Sequence, residues 1–121
     1  MNSAYIAPFY FEPTGTEANT AAPMLAGSLT NFKVVLSAAP GTSGANPDRW
    51  IIEIRVNNGA PPASATCTIT NTETSCTIAG PIVFANADRL SIQAVEATGT
   101  GIGGNNNATR FAFKADYTFA P

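Results

Sequence analysis

The chain has 121 residues, of which 45% are hydrophobic and only 12% charged, and its net charge is −2. That length supports one domain with its own core, and the charge gives no attraction to nucleic acid or to an anionic membrane. There is no histidine, so Ser-His-Asp and Cys-His arrangements are excluded and the commonest general base is missing.

The start, MNSAYIAPFYFEP, has neither a basic leader nor a continuous apolar run, and no stretch reaches the roughly 18 apolar residues of a spanning helix. Synthesis in a cytoplasm is expected. Within this stretch YIAPFYF reads as extended, and Pro8 removes a backbone donor, which suits an edge position. Residues 1–13 are therefore set apart as an extended N-terminal segment, with residues 14–121 as a single β-domain.

Period-two alternation then dominates. In FKVVLS, Phe32, Val34 and Leu36 share a face opposite Lys33 and Ser37. In WIIEIRV, Trp50, Ile52, Ile54 and Val56 alternate with Ile51, Glu53 and Arg55. In DRLSIQAV, Leu90, Ile92 and Ala94 form the inner set, and in RFAFKADYTF it is Phe111, Phe113, Ala115, Tyr117 and Phe119. Turn-forming stretches separate these runs, with Asn58-Gly59 the clearest hairpin signal because both residues tolerate positive φ. LAGSL (25–29) is too short for a helix and is broken by Gly27. About eight short strands point to an antiparallel two-sheet β-sandwich, a jelly roll first and an immunoglobulin-like sandwich second.

Cys67 and Cys76, in CTITNTETSC, are the only cysteines. A structural zinc site needs four ligands, and redox pairs use C-x-x-C beside a helix, so metal and redox roles do not fit. If the segment folds as a tight hairpin, the two cysteines fall directly opposite each other. A disulfide staple and a pair of reduced core thiols both remain open, with the register favouring the staple.

The eight carboxylates (Glu12, Glu17, Asp48, Glu53, Glu73, Asp88, Glu96, Asp116) are scattered without D-x-D spacing, so no enzyme is expected, nor any metal or cofactor. Asp48 and Asp88 each precede an arginine at a strand start, where local turn bonds are the expected use. GTGIGG (99–104) matches a dinucleotide fingerprint formally, but a strand pattern follows where a helix is required. Trp50 with Phe9, Tyr10 and Phe11 offers a sugar-stacking platform, against which stands the reading of Trp50 as the first residue of a core face. Tyr10 is out of phase with Phe9 and Phe11, and Val35 and Ile51 are apolar on outward faces. Tyr5, Ile6, Phe9, Tyr10, Phe11, Val35 and Ile51 are accordingly the expected contact residues.

The strings TEANTAAPMLAGSLTNFKVVLSAAPG, WIIEIRVNNG, CTITNTETSC and ADRLSIQAV resemble a family of small β-domains, in a similarity that covers roughly residues 14–96. The family occurs in tailed-phage and prophage virion proteins and at the ends of bacterial collagen-like proteins. The resemblance implies a jelly roll, often trimeric, that serves as a structural or surface component of the virion and has no catalytic residues. With no collagen repeat or heptad stretch ahead of the domain, a capsid decoration protein is expected. It would bind the major capsid protein lattice from outside, on the virion surface. The alternative is a tail-fibre or receptor-binding tip that contacts tail proteins and recognises a host glycan.

Overall fold

The structure is a computed structural model that describes residues 3–6, 22–43, 46–98, 101–102 and 106–120. The strands are β1 (Ser3–Ile6), β2 (Ala22–Pro23), β3 (Gly27–Leu36), β4 (Thr42–Ser43), β5 (Asn46–Pro47) and β6 (Arg49–Val56). After a 3-10 turn (Ala63–Ala65) come β7 (Thr66–Thr70), β8 (Ser75–Ile78), β9 (Ile82–Phe84), β10 (Arg89–Thr98), β11 (Gly101–Ile102) and β12 (Phe111–Phe119).

They form two antiparallel sheets packed face to face. The first has the order β1-β10-β6-β7, with β2 and β11 also paired to β10; the second has the order β12-β3-β8, with β9 also paired to β3. Pairing is nested: β6 with β7, β3 with β8 around them, and β1 with β10 around those. Rolling that ribbon sets β10 against β6 and β12 against β3. This is the strand order of a jelly roll. One outermost position, beside β12, is unfilled among the described residues. β1 sits at a sheet edge, and its backbone is integral to the first sheet, so the sandwich takes in part of the segment set apart as 1–13; Pro8 lies outside the described residues.

The core lies between the inner faces that the alternation picks out. Phe32, Val34 and Leu36 meet Trp50, Ile52, Ile54, Leu90, Ile92 and Ala94, with Ile69 and Ile78 closing one side; all are buried. Val56 packs against this cluster only partly. The clearest departure is in β12, where Ala115 is exposed at the lining of a cleft and Phe119 is 63% exposed although both carry the inner phase. Opposite Ala115, β3 carries a bulge. The β12–β3 register shifts between Lys114↔Lys33 and Asp116↔Thr30, and Asn31 takes φ 51° as the extra residue. The bulge lets Leu29 and Phe32, three positions apart, both face the core. Phe119 meets the Tyr117 ring edge-on, its one ring contact among the described residues.

A second shift is at the first turn. Asn57 (φ 54°) and Asn58 (φ 58°) are its central residues, and Gly59 N donates to Val56 O at 3.0 Å. The turn is thus one residue earlier than Asn58-Gly59, because Asn57 is held from outside. Its amide donates to Arg89 O (2.8 Å), its Oδ1 accepts from Arg89 N (2.9 Å) and its Nδ2 donates to Asp88 Oδ1 (2.9 Å).

Candidate functional site

Cys67 and Cys76 form a disulfide with Cα atoms 5.9 Å apart. The expected hairpin register is corrected, however. β7 gives its ladder to β6 and β8 gives its ladder to β3, so the two strands lie in different sheets. Cys67 stands opposite Ile52, and Cys76 opposite Val34. The bond therefore clips the two sheets together at one edge, where both cysteines pack against the core. The turn between them is held by Glu73, whose Oε1 accepts from Thr70 N at 2.9 Å while its amide donates to Thr70 O at 2.9 Å.

Three of the other described carboxylates, Asp116, Glu53 and Asp88, bond to neighbours within the fold. Asp116 Oδ2 accepts from Asn31 Nδ2 (3.0 Å) beside the bulge, and Glu53 pairs with Arg55 (3.4 Å) on the outer face of the first sheet. Asp88 Oδ2 accepts from Ala85 N (2.8 Å), the turn role expected of it, and the bond from Asn57 is the larger cause holding its pKa below the usual value. Asp48 is fully buried, with its backbone bonded to Gly41 and Asn71. Burial raises the pKa of Glu96, and the Asp48 charge pushes it the same way. Among the described residues no group of three or more His, Cys, Asp or Glu side chains is placed to hold a metal. Glu12 and Glu17 lie outside the described residues.

Trp50 is a core residue, as one of its two sequence readings had it. It is 9% exposed and meets Phe111 edge-on at 5.3 Å, so it presents no face to a sugar. Phe9, Tyr10 and Phe11 lie outside the described residues. For β1 only the backbone is described, with Tyr5 opposite Gln93 and Ile6 opposite Ile92. Val35 is exposed on the outer face of the second sheet, and Ile51 is half-buried on the outer side of the first. Sequence reasoning did not mark three further exposed apolar residues, Leu25, Val83 and Phe119. Val83 had no strand assigned to it, and Phe119 carried the phase of a core residue.

Two features concentrate this apolar surface at the β12 side. Phe84, Tyr117 and Phe119 form a ring ladder, with centroids 5.8 and 4.6 Å apart, and Tyr117 Oη donates to Leu25 O at 2.7 Å. Beneath β12 a cleft of about 430 Å³ opens into the core between Met24, Leu29, Phe32, Leu90, Phe113 and Tyr117. Comparison with known proteins gives no match to a family model, a curated protein or a solved structure.

Proposed function

We propose that this chain is a non-enzymatic structural protein of a phage virion, a capsid decoration (cement or head-accessory) protein that binds the outside of the shell. The reading rests on the sequence resemblance described above. The observation that best supports it is the sheet-to-sheet disulfide, joined with apolar side chains turned outward on the second sheet. A covalent clip across a sandwich suits a protein that persists outside the reducing cytoplasm in which it is made. Outward apolar side chains suit one that beds against other subunits. A trimer, the copy number the resemblance implies, stabilises a lattice by bridging its subunits, which requires buried area in many copies and no chemistry.

Particles assembled with and without this protein, imaged and then challenged with heat and osmotic shock, provide the test. The proposal expects density for the chain on the head and earlier loss of genome from particles that lack it. Density at the tail tip would assign the receptor-binding role instead, and unchanged resistance would remove the cement role.

A further inference from the structure

We infer that two copies of this chain pair edge to edge through β12, antiparallel across a twofold axis at Ala115. The inference stands on β12 alone and not on the virion reading.

β12 is nine residues long and ends the second sheet, with no partner on its far side among the described residues. Ser37 N donates to Arg110 O, and Ala120 N donates to Ala26 O, so the even-numbered residues of this strand turn their backbone groups towards β3. Alternation then turns the N–H and C=O groups of Phe111, Phe113, Ala115, Tyr117 and Phe119 to the open side. A long edge with a free ladder and apolar side chains is a ready template for another strand.

The strand's own sequence, FAFKADYTF, selects the partner and the register. When two copies are laid antiparallel about Ala115, all nine residues overlap. Phe111 faces Phe119, Phe113 faces Tyr117, and Ala112 faces Thr118. Lys114 then falls opposite Asp116 of the second copy, twice over. Both residues are exposed on the outer face, and they fall in the non-hydrogen-bonded pairs, where side chains come closest. Centring the pair on Lys114 would set lysine against lysine, and centring it on Asp116 would set aspartate against aspartate; both oppose like charges. Only the Ala115 register satisfies the free ladder, the charges and the full overlap together. The partner strand also lies along the mouth of the cleft beneath β12, whose rim includes Phe113, Ala115 and Tyr117. An isologous contact of this kind is what twofold symmetry requires, since each residue meets its counterpart reciprocally.

A single cysteine at the axis tests it in the full chain, because Cys67 and Cys76 are already joined. Directly opposed residues of a hydrogen-bonded pair lie about 5.5 Å apart at Cα, within disulfide reach. Under mild oxidation Ala115→Cys should run as a cross-linked dimer on a non-reducing gel, while Ala112→Cys, off the axis, should not. Adding Lys114→Glu should abolish the cross-link, and adding Lys114→Glu with Asp116→Lys should restore it, each variant being checked for a native β-sheet spectrum. Folded Ala115→Cys that stays monomeric would overturn the inference and give this edge another occupant. So would cross-linking that ignores the charge swap or proceeds equally at Ala112→Cys. A failed cross-link leaves shell binding untouched, and chains that cross-link as expected but never bind a capsid would fail the virion reading alone.

Discussion

The two ends of this sandwich are finished in opposite ways. At one, β7 and β8 belong to different sheets and are clipped by Cys67–Cys76, with Ile69 and Ile78 buried just inside. At the other, β12 has no outer neighbour among the described residues, and a cleft runs beneath it to the core. The closed side is tied within one chain: the disulfide joins the two edge strands β7 and β8, and Glu73 holds the turn between them. The open side keeps aromatic side chains half-buried and a row of backbone groups unused. The contrast teaches that a small, weakly charged chain can place its covalent tie at one edge and leave the other without one.

Substitutions can break that contrast, beginning with the core. Ile69→Ala, at a fully buried position on the closed side, should lower the unfolding free energy by about 3–4 kcal/mol in chemical denaturation. Phe113→Ala, half-buried over the cleft, should cost less than half as much in the monomer, despite removing the larger side chain. Equal costs would mean the two sides are packed alike. Next, Cys67→Ala with Cys76→Ala should cost about 2.5 kcal/mol, as expected for releasing a ring this short. Non-reducing mass spectrometry should find the native pair two protons lighter than two thiols. Gly27→Ala should cost about 2 kcal/mol at the open side, because a Cβ there collides with the Thr118 carbonyl and pushes β12 off β3. Its signature would be loss of the Phe84–Tyr117 stacking, with β7 and β8 unmoved.

The smallest effect concerns pH, at a knot remote from both edges. Asn57 and Ala85 hold the Asp88 pKa below 3.8, its usual value. A carboxylate lowered on folding adds stability that is present above the unfolded value and is lost as pH falls through the folded one. Asn57→Ala should therefore move the Asp88 titration, followed by NMR, back towards the usual value and narrow that acid loss. An unmoved titration would show that the bond contributes nothing to the shift.

Much of this fold is legible in the sequence because alternation reports which face of a strand is buried. It placed Phe32, Val34 and Leu36, and likewise Ile52, Ile54 and Ile92, inside. The cysteine spacing pointed to the disulfide. What stayed hidden depends on partners distant in the chain. A hairpin register is local, so it could not reveal that β7 and β8 give their ladders to β6 and β3, turning a hairpin staple into a clip between sheets. The bulge at Asn31 lies just ahead of the run FKVVLS that reads as strand, and nothing in the sequence marks the register shift opposite Ala115. Asn57 was displaced into the turn by bonds to Arg89 and Asp88, thirty residues on. The exposed apolar residues were only partly legible: the phase marked Val35 as outward, but the exposure of Val83, Leu25 and Phe119 needed the tertiary fold. The open edge of β12 needed the strand order.

Hydrogen exchange along β12, followed as protein concentration rises, tests most directly whether the open side exists to be covered by a second copy. The amides of Phe111, Phe113, Ala115, Tyr117 and Phe119 point away from β3 and should exchange quickly in dilute solution. They should become protected together as concentration increases, while amides bonded to β3 stay slow throughout. Exchange at those five positions that is slow from the outset, or fast at every concentration, would contradict the pairing of two copies at this edge.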